Sequence, residues 1–136
     1  MAWRFDGTGA LLVGEGVFGR NVSIVYRLAP GSQTFTNLGL HKAPGGAIAL
    51  DGSGNLYVGG DLPDGGTVAV YPPNSQTASR TFKVHGDVVA LTADASGDLY
   101  VATPTSVEVY APGASKPSTT LTIGGNVGGV ALSSQR

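Results

Sequence analysis

The chain has 136 residues, of which 41% are hydrophobic and 12% are charged, and eight Lys and Arg against nine Asp and Glu give a net charge of −1. A neutral, charge-poor chain lacks the basic patch that binds nucleic acid and the composition of a disordered tail. It contains 22 Gly and 8 Pro, which indicate many turns, and no Cys, which excludes disulfides and thiolate sites.

The first residues, Met1–Asp6, have no apolar core of the kind that a secretion signal needs. No stretch approaches the roughly 20 apolar residues of a membrane helix. The sequence therefore predicts a soluble protein without membrane or nucleic-acid partners, and it leaves the cellular compartment open.

One eight-residue segment occurs three times along the chain, at intervals of roughly 45 residues. A weak copy spans Asp6–Val13, and two clear copies read Asp51-Gly-Ser-Gly-Asn-Leu-Tyr-Val58 and Asp94-Ala-Ser-Gly-Asp-Leu-Tyr-Val101. A second marker ending in Tyr follows each copy and leads into a turn rich in Pro, Gly, Asn and Ser. The three markers are Val22–Tyr26, Val68–Tyr71 and Val107–Tyr110.

Each unit contains about four short runs rich in Val, Leu, Tyr and Thr, bounded by turn residues. In the second unit these runs are Gly46–Leu50, Leu56–Gly60, Thr67–Tyr71 and Ser79–Val84. Helical periodicity is missing, so we expect an all-β protein. Because several runs are apolar almost throughout, both faces of each sheet should be buried. Sheets of four antiparallel strands at this period are the blades of a β-propeller, which gives three blades per chain.

The strand and turn pattern resembles NHL-type propeller repeats and the related gluconolactonase-like propellers, and Asp51–Val58 and Asp94–Val101 carry the resemblance best. The resemblance implies a propeller fold, commonly with six blades. Gluconolactonase-like propellers also hold a divalent metal at the axis with Glu and Asn side chains. Here Glu15 and Glu108 are the only Glu residues, and neither is in an expected inner strand, so the resemblance does not extend to that metal site.

Three blades cannot close a ring, since closed propellers have about four to eight blades. We therefore predict that two copies of the chain join about a two-fold axis into a six-bladed ring, with the chain itself as its own partner in a homodimer. The alternative is that the chain is a fragment or an engineered piece of a longer propeller.

Units that start at the Asp-x-Ser-Gly turn span about 10–51, 54–94 and 97–133 within one half-propeller domain, 1–136. Residues 1–5 are then a surplus strand. Gly128–Leu132 matches the inner-strand pattern of Gly46–Leu50, so we expect it to complete a blade of the partner by strand exchange. The residues expected at this interface are Trp3, Phe5, Val130 and Leu132.

The repeated Asp turns carry oxygen-bearing side chains at alternating positions: Asp51, Ser53, Asn55, Asp94, Ser96 and Asp98. Such residues cap tight turns by accepting backbone hydrogen bonds, which is the interpretation we favour. The alternative is a calcium loop, although the bidentate Glu of such a loop is missing. We therefore predict no cofactor, with a divalent metal such as calcium as the alternative.

His41 and His85 precede the two clear repeats by similar distances. If their connections lie near the axis, a two-fold ring would bring four imidazoles toward the channel mouth, where they could bind a metal or an anion. The alternative is a pair of exposed loop histidines, since no carboxylate at a fixed spacing orients the rings.

No set of residues has the pattern of a catalytic site. The sequence therefore favours a non-catalytic binding or assembly module, with any ligand at the central channel. The alternatives are a metal-dependent gluconolactonase-like hydrolase or lyase, and a piece of a longer propeller with no ligand of its own.

Overall fold

A computed structural model describes residues 2–5, 8–16, 23–62 and 65–123. Within these ranges the chain forms twelve β-strands in three four-stranded antiparallel sheets. The prediction of an all-β protein is confirmed. The described residues include no helix with the length and apolar character needed to cross a membrane.

Each sheet is a meander in which consecutive strands pair. The first sheet contains β1 (Ala2–Phe5), β2 (Leu11–Gly16), β3 (Ser23–Leu28) and β4 (Thr36–Asn37). The second contains β5 (Ala47–Leu50), β6 (Leu56–Leu62), β7 (Gly65–Tyr71) and β8 (Arg80–Lys83). The third contains β9 (Ala90–Ala93), β10 (Leu99–Ala102), β11 (Ser106–Tyr110) and β12 (Thr119–Thr122).

The N-terminal strand belongs to the first sheet. Strand β1 pairs antiparallel with β2, with Trp3 opposite Val13 and Phe5 opposite Leu11. In chain order, the three sheets begin with β1, β5 and β9. The predicted units began at the turn after each of these strands, so each of them fell outside its own unit. The predicted inner strand Gly128–Leu132 lies outside the described residues.

A turn with the same conformation lies at the same place in each unit, which explains why the segment recurs along the chain. Gly9, Gly54 and Gly97 have φ of 87°, 87° and 89°, a conformation that glycine adopts without steric cost. The turns reverse the chain between the first and second strands of each sheet, so the repeat determines where β2, β6 and β10 begin.

The pairing also corrects the alignment of the Tyr markers. Tyr71 lies opposite Leu56 and Tyr110 opposite Leu99, whereas in the first sheet Leu28 takes this position, opposite Leu11. The Pro-containing turn begins directly after Leu28, as it does after Tyr71 and Tyr110, and this turn sets the register. Tyr26 is two residues away, opposite Val13.

The three sheets pack face to face in chain order. Strand β5 contacts β1 on one side and β9 on the other, so the first strand of each sheet lies beside that of the next. One buried cluster fills the junction between the first and second sheets: Leu12, Val25, Ala43, Ile48, Leu56, Val58, Ala69 and Tyr71. A second fills the next junction: Ala49, Tyr57, Val68, Val70, Phe82, Val84, Val88, Leu91, Leu99, Val101 and Tyr110. This arrangement is that of a partial β-propeller.

Candidate functional site

The stack of three sheets has two outer faces, one at each end, that no other sheet within the ranges given above covers. The leading face is the side of the first sheet turned away from the second, formed by Leu11, Val13, Tyr26, Leu28 and the adjacent Phe35. The trailing face is the side of the third sheet turned away from the second, formed by Tyr100, Val107, Val109, Leu121 and Ile123. Each face can be compared with an equivalent face that is covered inside the chain.

The trailing face repeats a surface that is buried in the second sheet. Phe82 lies opposite Val68, and Leu121 lies opposite Val107 in the same register. Phe82 is 6% exposed because the third sheet covers it, whereas Leu121 is 53% exposed. Two residues farther along, Ile123 is also a large exposed hydrophobic residue, while its equivalent Val84 is buried.

The leading face shows the same difference. Leu56, Val58 and Tyr71 are buried where the second sheet meets the first. Their equivalents Leu11, Val13 and Leu28 are only half-buried.

An aromatic pair extends the leading face to its edge. Tyr26 packs edge to face against Phe35, with ring centroids 6.3 Å apart. Phe35 is 48% exposed. Both ends of the stack thus present apolar side chains of the kind that a neighbouring sheet covers inside the chain.

His85 lies at the start of the connection from β8 to β9, above a buried carboxylate that the sequence interpretation missed. Its backbone N–H donates to Glu108 Oε2 at 3.2 Å, and its Nδ1 lies 3.5 Å from Glu108 Oε1. The Glu108 side chain is 1% exposed and the His85 side chain 82% exposed. The buried carboxylate therefore holds the connection through its backbone, with the exposed imidazole beside it.

Tyr110 completes this cluster. Its Oη donates to Glu108 Oε1 at 2.7 Å, and burial, followed by this bond and the nearby carboxylate, raises the pKa of Tyr110. The sequence does contain a signal of this cluster: Glu108 is a charged residue at a strand position where the second unit has Ala69. A carboxylate in an apolar run indicates a buried polar contact.

The backbone of His41 is held by other hydrogen bonds. Its N–H donates to the carbonyl of Gln76 at 2.8 Å, and its carbonyl accepts a bond from Tyr71 Oη at 2.6 Å. Because Gln76 belongs to the turn between β7 and β8, the structure places His41 beside the outer strands of the second sheet. Its side chain is exposed.

In the first clear repeat turn, Asp51 accepts four hydrogen bonds. Oδ1 accepts from the N–H groups of Ser53 and Asn55 at 2.9 and 3.0 Å, and Oδ2 accepts from Asn55 Nδ2 and Tyr57 Oη at 2.9 Å each. Partial burial acts to raise the pKa of Asp51, but these hydrogen bonds outweigh it and hold the pKa below its usual value. Asp51 therefore closes the turn with its own oxygens.

The second repeat turn has nearly the same network. Asp94 Oδ1 accepts from the N–H groups of Ser96 and Asp98 at 3.0 and 2.9 Å, and Oδ2 accepts from Tyr100 Oη at 3.1 Å. The bond to Asp94, followed by desolvation, raises the pKa of Tyr100. In the described part of the chain, no group of three or more His, Asp or Glu side chains is placed to hold a metal ion.

The remaining predicted interface residues are only partly covered by the structure. Trp3 and Phe5 lie in β1, next to β2. Val130 and Leu132 lie outside the described residues.

Comparison with known proteins supports the propeller architecture. Among solved structures, the chain is similar to a gluconolactonase from Xanthomonas campestris, with 14% identity and a TM-score of 0.72. The match covers 93% of this chain and 48% of the other, so this chain spans about half the length of that protein. No protein-family model and no curated protein matches the sequence. At this identity the likeness shows the fold alone.

Proposed function

We propose that the chain is a self-associating half-propeller, in which the trailing face of one copy packs against the leading face of a second copy. The observation that carries the proposal is the exposure of Leu121 and Ile123 where Phe82 and Val84 are buried. Exposed contiguous apolar surface of this kind marks interaction sites in folded proteins.

The junctions between sheets inside the chain indicate which surface would fit each outer face. Phe82 packs against Tyr110 of the next sheet, with ring centroids 4.8 Å apart. In the proposed contact Leu121 takes the place of Phe82, and Leu28 of the partner subunit takes the place of Tyr110. Both replacements are apolar, so the contact would bury apolar side chains, as the internal contact does.

Two copies would make two such contacts and bury all four outer faces. A contact between unlike faces closes into a ring when its rotation is a simple fraction of a turn, and otherwise builds open filaments. Three sheets per chain correspond to half of a six-bladed ring, in agreement with the half-length match to the gluconolactonase. Any ligand of the module would then enter at the central channel.

Strand exchange is not needed for this closure, because β1 already occupies the first position of its sheet. Removing residues 127–136 distinguishes the two routes. The dimer persists in the truncated chain if the faces alone make the contact, and it is lost if Gly128–Leu132 must complete the partner's sheet.

A metal-dependent hydrolase or lyase is the second candidate, favoured by the similarity to a gluconolactonase. Divalent-metal analysis of the purified protein, together with a lactone hydrolysis assay, tests it. One or two metal ions per dimer and hydrolysis above background would favour the enzyme. Neither would be expected for a module that only assembles.

Sedimentation equilibrium at micromolar concentration tests the self-association. We expect a mass of two chains. A mass of one chain would contradict association, and a mass that keeps growing with concentration would contradict a closed ring.

A further inference from the structure

An open cavity of about 890 Å³ lies between the first and second sheets, at the end that carries the repeat turns. Its apolar lining includes the half-buried Leu38 and Leu50 and the buried Leu12, and its rim includes Arg27 and Gln76. Small-molecule sites have volumes of about 300–1,000 Å³ and a mostly apolar lining with a few polar groups. This cavity, which we call the Leu12 cleft, has a volume in that range, and its lining combines leucines with polar side chains.

A matching but smaller cavity lies between the second and third sheets. Its volume is about 460 Å³, and Tyr57, Val70 and Arg80 are among its lining residues. Leu12 and Tyr57 occupy equivalent positions, since Val13 pairs with Trp3 as Val58 pairs with Ile48.

Tyr57 reaches over its turn to donate to Asp51, whereas Leu12 has no phenol that could do so. The first unit therefore has an aliphatic wall where the second has a tyrosine that reaches toward the turn.

The charges of the Leu12 cleft restrict the ligand. Arg27 is the positive group, and its Nη2 donates to Thr8 Oγ1 at 3.0 Å. Asp51 and Asp94 also line the cleft, so the lining has no excess positive charge that would favour an anion. The oxygens of both carboxylates already accept bonds within their own turns, and among the described residues no group of three or more His, Asp or Glu side chains could hold a metal ion.

We infer that the Leu12 cleft binds an uncharged amphipathic small molecule. Its apolar body lies against the leucines, and its hydroxyl or amide groups face the polar rim. Both walls of the cleft belong to the same chain, so the inference does not depend on ring closure.

Nile red, an uncharged fluorescent probe, tests the inference by titration against the whole chain. We expect saturable binding with blue-shifted emission. Leu12→Tyr supplies the residue of the second unit, and it should weaken probe binding by at least about tenfold while the chain keeps its thermal unfolding transition. Leu50→Glu places a charge in the wall at a half-buried position and should cause a similar loss of probe binding. It is the variant to measure if Leu12→Tyr does not fold.

Thr120→Ser is the control, because Thr120 is exposed and does not line the cleft. We expect this variant to bind Nile red as the wild type does. The inference is overturned if the wild type does not bind the probe, if both cleft variants fold and bind it unchanged, or if Thr120→Ser loses binding as the cleft variants do.

Discussion

Phe82 and Leu121 occupy the same position in successive sheets, yet Phe82 is 6% exposed and Leu121 is 53% exposed. The difference follows from what lies beyond each sheet. Phe82 packs on Tyr110 of the third sheet, whereas Leu121 lies on the last sheet of the stack. Substitutions at the two positions should therefore affect different properties of the protein.

At Leu121, an aspartate should block self-association. Leu121→Asp would bury an unpaired charge in the proposed contact, and we expect the mass in solution to fall from two chains to one. Thr120→Asp is the matched control, since Thr120 is exposed on the opposite face of the same strand. Sedimentation equilibrium checks both variants, and a dimeric Leu121→Asp chain would contradict the proposed contact.

At Phe82, truncation should destabilise the fold itself. Phe82→Ala removes a buried ring between the second and third sheets, and large-to-small changes of this type cost about 3–5 kcal/mol. Urea unfolding measures the loss. Leu121→Ala, compared under conditions where the chain is monomeric, should change the free energy of unfolding by less than about 1 kcal/mol.

Glu108 should contribute to stability through two hydrogen bonds. Glu108→Ala leaves the buried Tyr110 Oη without its acceptor, which costs about 1–3 kcal/mol, and it also removes the acceptor of the His85 N–H. Glu108→Gln should cost less, because an amide oxygen can still accept one of the two bonds. A double-mutant cycle with Tyr110→Phe measures the coupling, and additive effects would show that the 2.7 Å bond contributes nothing.

Alkaline pH should weaken the fold through Tyr57. Burial, the bond to Asp51 and the Asp51 charge together raise the pKa of Tyr57 to about 12. Since tyrosine titrates near about 10 in the unfolded chain, the stabilisation is fully present below pH 10 and is lost as the pH rises to about 12.

Tyr57→Phe tests this pH dependence, because phenylalanine has no group that titrates. The free energy of unfolding of this variant should fall less steeply between pH 10 and 12 than that of the wild type. Identical pH profiles, measured by denaturant unfolding, would contradict the assignment. The free energy of unfolding of Tyr57→Phe should still decrease somewhat at high pH, because the pKa values of Tyr71, Tyr100 and Tyr110 are also raised.

The all-β fold and the three sheets could be predicted because the signals are local. A glycine with positive φ lies in each repeat turn, and apolar runs between turns predict strands buried on both faces. The role of β1 could not be predicted as readily. Ala2–Phe5 does not resemble the later inner strands, and its pairing with β2 depends on contacts across the turn rather than on its own pattern.

The candidate site was harder to predict, because it depends on which surfaces meet. Leu121 looks like any strand leucine in the sequence, and its exposure follows from its place on the last sheet. Glu108 gave a signal as a charge within an apolar strand, but its partner His85 is 23 residues away in the chain. Spacing in the sequence does not show such contacts.

The most direct test of the account is a cysteine cross-link across the proposed contact. The chain contains no Cys, so the double variant Leu28→Cys and Leu121→Cys has no competing thiol. In a closed ring of two chains, Cys at position 121 of each copy faces position 28 of the other across two packed sheets, which lie about 10 Å apart. A bis-maleimide of about that length should therefore give a covalent dimer on a denaturing gel.

Each single variant is a control, because in a two-fold ring its two identical Cys residues lie at separate contacts. The account predicts a covalent dimer from the double variant and little or none from either single variant. Double-variant chains that stay monomeric after treatment with the bis-maleimide, or single variants that cross-link equally well, would contradict it.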